Sequence, residues 1–297
     1  MTTSTVPANG IEIAYETFGE RSGRPLLLIM GLATQMLAWH EDFCGQLAER
    51  GFFVVRYDNR DIGLSTHLHD APEPDVMAAL GGALSSASYT IDDLADDAVG
   101  LLDALDLPAA HVMGVSMGGM IAQSLAARHA ERVLSLTSIM STPSPQIGAP
   151  TAEAVGVLLA PAATTREQAV ERAVATYAVI GSPGYPLDEP WLRGIAAEAY
   201  DRAHDPAGAM RQLLAIQAGG DRTAQLAGVR VPTLVVHGED DPLVGVAGGR
   251  ATAAAVPGAE LLVLPGMGHN LPRELWPQIL EAFSTVADRG AARQRNG

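Results

Sequence analysis

The chain has 297 residues, 47% of them hydrophobic and 18% charged, with 34 acidic against 19 basic side chains and a formal net charge of -15. Such a composition fits a globular chain with a sizeable core, in one or two domains, and excludes a disordered one. The negative balance excludes a basic nucleic-acid surface, and because every basic residue is Arg, no Lys nucleophile or Schiff base is available. Cys44 stands alone, which excludes an internal disulfide and fits a reducing compartment. Residues 1–7 lack a basic and apolar leader, and no apolar run approaches the roughly 20 residues a bilayer span needs. The expectation is a cytoplasmic chain without membrane insertion.

Residues 11–15 alternate as an N-terminal, antiparallel strand. Residues 26–30 and 52–57 read as strands buried on both faces, with a helix over 39–50 that puts Trp39, Phe43 and Leu47 on one side. A helix starts at Thr90, capped by its hydroxyl and by Asp93 three residues on. Strands at 111–113 and 133–139 flank another helix. After Met140 the turn-rich stretch 141–150 is a hinge, and residues 151–227 are Ala-rich and helical, broken at 181–186. Strands return at 231–237 and 260–264, and a last helix covers 271–286 before a tail that frays from Ala291.

Gly114-Val115-Ser116-Met117-Gly118 sits between a strand and a helix, the context of the nucleophile elbow of serine hydrolases. The turn is too sharp for a Cβ at either glycine, and it presents the Ser116 hydroxyl at a helix N-terminus. A serine needs a base, usually a histidine oriented by a carboxylate. Of eight histidines, His40, His111 and His129 pack or face solvent, His67 and His69 precede the elbow, and His204 lies in the helical stretch. His237 ends a strand and reads as scaffolding. His269, in the flexible loop Pro265-Gly266-Met267-Gly268-His269-Asn270 after the last strand, is the expected base. Glu239, Asp240 and Asp241 compete for the acid. Asp241 is favoured because Pro242 biases it to an extended backbone, with Asp240 second and Glu239 third.

With these three motifs in this order, the chain resembles the α/β-hydrolase superfamily over nearly its whole length. Ile29-Met30-Gly31-Leu32, the run Arg56-Tyr57-Asp58-Asn59-Arg60-Asp61-Ile62-Gly63-Leu64-Ser65 and Pro265-Gly266-Met267-Gly268-His269 look like its esterase branch that includes aclacinomycin methylesterase. The resemblance implies an α/β fold with a mostly parallel sheet: core residues 1–141 and 229–297, and a helical cap at 142–228. It implies Ser116, Asp241 and His269 as catalytic residues and the backbone N–H groups of Leu32 and Met117 as the oxyanion hole. The family's usual His-Gly pair reads Met30-Gly31 here. The loop 58–65 is expected to be structural, bracing the sheet edge.

The expected activity is hydrolysis of small-molecule carboxylic esters through an acyl-enzyme. A cofactor-free perhydrolase or haloperoxidase, a thioesterase and a C–C bond hydrolase share the triad, and a non-catalytic receptor is disfavoured by its being intact. No metal and no cofactor are expected, for want of His-x-x-x-His, paired-Cys, dinucleotide or Walker spacing. Most of Met30, Met36, Met113, Met117, Met120 and Met267 are expected to fill core; Trp39 and Trp276 pack, and Trp191 is a candidate for the cap wall. A homodimer is left open.

Overall fold

A computed structural model describes residues 2–296. Its strands are β1 (Ser4–Ala8), β2 (Ile11–Phe18), β3 (Arg24–Ile29), β4 (Phe52–Tyr57), β5 (Ala110–Val115), β6 (Val133–Ile139), β7 (Thr233–Gly238) and β8 (Glu260–Leu264). They form one eight-stranded sheet in the order β1-β2-β4-β3-β5-β6-β7-β8. The pairings β1 with β2 and β2 with β4 are antiparallel, and the others are parallel. β1 escapes the sequence reading because its side chains are mostly exposed and Pro7 gives no strand signal. Pro is tolerated there because β1 is an edge strand.

Every residue of β4, β5 and β7 is buried, as expected for strands covered on both faces. Alternation along the strands divides their side chains between two cores. Leu27, Ile29, Val55 and Val112 pack with Leu94, Leu101, Ile121 and Leu125. Leu26, Leu28, Val54 and Met113 pack on the other face with Phe43, Leu47, Ile279 and Phe283. The first set meets helices α3 (Ile91–Ala104) and α4 (Met117–Arg128); the second meets α1 (Glu41–Glu49) and α11 (Trp276–Asn296). The short α2 (Val76–Leu80) lies between α1 and α3 in the chain.

Three helix boundaries differ from expectation. Trp39 closes a short 3-10 turn, and α1 begins only at Glu41, where His40 Nδ1 accepts from the Asp42 N–H at 3.0 Å. The final helix starts at Trp276, after Pro272 and a 3-10 turn. Instead of fraying at Ala291, it runs to Asn296. The cap at Thr90 is as read: Asp93 Oδ2 accepts from the Thr90 N–H and hydroxyl, both at 2.8 Å.

Between β6 and β7 lie α5 (Ala152–Leu158), α6 (Arg166–Ile180), α7 (Glu189–Arg202), α8 (Pro206–Ala218) and α9 (Thr223–Leu226); α10 (Ala247–Ala255) follows β7. The loop after β4 does not brace a sheet edge, since β4 is an inner strand. Its acids grip the inserted helices instead. Asp58 meets Arg202 of α7 at 3.0 Å, and Asp61 holds Arg211 of α8 in a two-pronged pair at 2.8 and 2.9 Å. Both aspartates are fully buried. Arg60 turns the other way, to Asp97 of α3. No helix among the described residues is long and apolar enough to cross a membrane.

Candidate active site

Ser116 follows the last residue of β5 and precedes α4, with φ 55° and ψ -122°. A non-glycine residue in this region is strained, and such strain persists only where the surroundings enforce it. Two glycines supply the enforcement. A Cβ on Gly114 would lie 2.0 Å from the Gly118 carbonyl oxygen, and one on Gly118 would lie 2.2 Å from that of Ile29. The strand, turn and helix can therefore close on one another only with glycine at both places.

His269 and Asp241 come to this turn from the ends of neighbouring strands. His269 Nε2 lies 3.0 Å from Ser116 Oγ, and its Nδ1 lies 2.7 Å from Asp241 Oδ2. Asp241 Oδ1 accepts from the N–H groups of Leu243 and Val244, both at 2.9 Å, which leaves Oδ2 to the imidazole. The proton on His269 is accordingly best placed on Nδ1, with the Nε2 lone pair toward the serine. Asp240 is exposed and accepts from the Gly266 N–H at 2.9 Å, and Glu239 is exposed too, so neither reaches His269.

His237 is buried beside this acid turn. Burial holds its imidazole below the ordinary range despite the opposing pull of its bond to Val244. The neutral ring donates from Nε2 to the Val244 carbonyl at 2.7 Å, fixing the turn that carries Asp241. This is the scaffolding role expected of it. The His269 loop, by contrast, is not the flexible segment expected. The inserted helices pin it: the His269 N–H donates to Ile180 O at 2.7 Å, and the Gly268 N–H donates to Ser182 Oγ at 2.9 Å.

Gly31 brings the β3 loop against the serine, since a Cβ there would stand 3.1 Å from Ser116 Cβ. The next residue is Leu32. Among the described residues, neither the Leu32 nor the Met117 N–H donates to a protein acceptor. Met117 is the first residue of α4, where helical N–H groups have no internal partner and the helix dipole favours an anion. Sequence reasoning misses what holds the Leu32 loop. The Ala33 N–H donates to Gln212 of α8 at 2.9 Å, Asn59 donates to Met30 O at 3.0 Å, and Asp58 accepts from the Met36 N–H at 2.8 Å.

A cavity of about 620 Å³ opens over Ser116 and His269. Its wall is mostly apolar and draws on the core and on α5 to α8. Met30 and Met120 reach it, while Met36, Met113, Met117 and Met267 are fully buried core. Trp191 lines it as expected, stacked on His40 at 5.1 Å; Trp39 and Trp276 line it as well as packing. Cys44 is fully buried in the core, and that burial pushes its thiol up to about 12.

Rhodomycin D methylesterase DauP from Streptomyces sp. (strain C5) is 30% identical over 292 residues, covering 92% of this chain and 93% of the relative. The non-heme chloroperoxidase CPO-A1 of Kitasatospora aureofaciens is 28% identical, covering 89% and 90%. Among solved structures, the enol-lactonase from Burkholderia xenovorans LB400 superposes with a TM-score of 0.69 at 27% identity, over 96% of this chain and 99% of that one. The profile of the alpha/beta hydrolase fold matches residues 24–272, and with that match, this sheet and this relative, the chain belongs to the alpha/beta hydrolase family.

Proposed function

We propose that the protein is a carboxylic-ester hydrolase that works through Ser116, His269 and Asp241. The observation that carries the proposal is the unbroken run from Ser116 Oγ to His269 at 3.0 Å and on to Asp241 at 2.7 Å, at the floor of a cavity. His269 Nε2 takes the hydroxyl proton as Ser116 attacks the ester carbonyl. The negative oxygen of the tetrahedral intermediate meets the N–H groups of Leu32 and Met117, and such a preorganised donor contributes roughly 3 kcal/mol. His269 then protonates the leaving alcohol. Water attacks the acyl-enzyme with the same base, releasing the acid and restoring the serine. Asp241 holds the imidazole tautomer and steadies the imidazolium.

Residues 142–228 act as the cap of this site. Their helices supply much of the cavity wall and select small-molecule esters by their apolar bulk. A fluorophosphonate probe followed by peptide mass spectrometry tests the assignment. Modification at Ser116 is expected; an unmodified Ser116 in folded protein overturns it.

A cofactor-free perhydrolase is the second reading, favoured by the chloroperoxidase relative. There hydrogen peroxide replaces water as the acyl acceptor. It gains the assignment only if peracid formation from acetate and peroxide outruns hydrolysis of p-nitrophenyl esters.

A further inference from the structure

We propose that His67, His69 and Asp205 form a binding site for a divalent transition-metal ion of the zinc type. The proposal is independent of the ester-hydrolase reading. Nothing in the local sequence spacing suggests such a site, because Asp205 comes from the start of α8, 138 positions after His67.

What points to the site is the placement of three donor atoms from two distant segments of the chain. His67 Nε2 is 3.0 Å from the Gly63 carbonyl oxygen, which can only accept, so this nitrogen carries the hydrogen. Its Nδ1 faces Asp205 Oδ2 at 2.8 Å, so one imidazole nitrogen and one carboxylate oxygen converge on the same point. A metal ion or a shared proton can occupy that contact, and the position of a third donor favours the metal. The third donor stands ready: His69 Nδ1 is 4.0 Å from the same oxygen, and its ring lies parallel to that of His67, 11° apart in plane and 5.5 Å between centroids. The three donor atoms lie within 4.8 Å of one another. A tetrahedral zinc ion with bonds of about 2.0 Å sets its ligand atoms about 3.3 Å apart. His69, whose side chain is 76% exposed, has the freedom to move in, while His67 Nδ1 and Asp205 Oδ2 open from 2.8 Å to take the ion between them.

The surroundings suit a cation. Arg211 also reaches Asp205 Oδ2, at 3.2 Å, but its fork is already closed on Asp61. Asp61, Asp205 and Arg211 together therefore leave one net negative charge beside the two imidazoles. The Gly208 N–H occupies Asp205 Oδ1 at 3.0 Å, so Oδ2, shared with Arg211, is the oxygen that faces the imidazoles. The Gly63 carbonyl fixes the His67 tautomer in the way outer-shell acceptors fix metal-bound imidazoles. Imidazole with one carboxylate fits zinc, with water as the fourth ligand. The ion would join the loop after β4 to α8, whose Met210 and Leu213 line the cavity.

Titration calorimetry of tag-free, chelator-treated protein with zinc chloride tests this. One zinc per chain with a micromolar dissociation constant is expected, together with a zinc-dependent rise in Tm. His69→Ala should bind at least tenfold more weakly and lose that rise, while its metal-free Tm stays at the wild-type value, showing an intact fold. Absence of saturable binding, which would leave only a proton between His67 and Asp205, overturns the proposal. Equal affinity in His69→Ala overturns it too.

Discussion

Arg202 Nη2 of α7 and Asp58 Oδ2 of the loop after β4 stand 3.0 Å apart, although 144 positions separate them in the chain. Asp58 is wholly buried and its other oxygen accepts from the Met36 N–H. One carboxylate thus joins the inserted helices to the loop that carries Leu32. Arg202 also reaches Gln35 Oε1 in the same loop, at 2.5 Å. The wall of the cavity and the loop beside Ser116 are fixed to each other, not merely adjacent.

Removing that carboxylate leaves Arg202 Nη2 and the Met36 and Leu64 N–H groups without their acceptor. Asp58→Ala is expected to cost about 3–5 kcal/mol, the usual penalty for breaking a buried ion pair from one side. Urea denaturation measures it. A loss under about 1 kcal/mol would place the interaction with ordinary surface pairs.

Gly114→Ala tests the elbow. The added Cβ would meet the Gly118 carbonyl oxygen at 2.0 Å, and that oxygen belongs to backbone that cannot swing aside. Destabilisation beyond the ~3 kcal/mol that bounds most single substitutions is expected, with loss of activity in whatever folds. Equilibrium denaturation and an ester assay read the two effects.

Burial lowers His111 from 6.5 to about 4, and it is fully buried between Phe52 and Phe283. The unfolded chain therefore binds a proton here that the folded chain refuses. The resulting stability is complete above pH 6.5 and is lost as the pH falls toward 4, a difference of about 3 kcal/mol. His237, lowered for the same reason, adds in the same direction. His111→Gln should show a shallower fall in urea midpoint between pH 6.5 and 4 than the wild type; equal slopes would refute the assignment.

The acid turn separates two neighbours. Asp241→Asn is expected to lower kcat by about 10⁴-fold, since the amide cannot enforce the same imidazole tautomer. Asp240→Asn keeps an amide oxygen that can accept from the Gly266 N–H and should stay within a few-fold of wild type. Steady-state kinetics on one chromogenic ester distinguish them, and a reversed order would exchange the roles.

The parts of the candidate site that sit at strand ends are legible in the sequence, because apolar strands, glycines at a sharp turn and Pro242 each leave a local mark. Ser116, Asp241 and His269 are of this kind. Gln212, Arg202 and Arg211 left none: on an Ala-rich helix nothing in the spacing says which polar side chain turns inward to a loop 150 residues upstream. The expectation of a flexible His269 loop failed for the same reason, since its partners Ile180 and Ser182 lie at and just after the end of α6. The strands were read well where both faces are buried and missed in β1, where burial is slight.

The most direct test of the account is the rate of p-nitrophenyl acetate hydrolysis by Ser116→Ala beside the wild type. The side chain lost is one hydroxyl, and the strained turn is held by Gly114 and Gly118, so the variant should fold. Removal of the proposed nucleophile is expected to lower kcat by about 10⁶-fold, to the level that binding and the proposed oxyanion hole alone sustain. Turnover by Ser116→Ala at the wild-type rate would contradict the account.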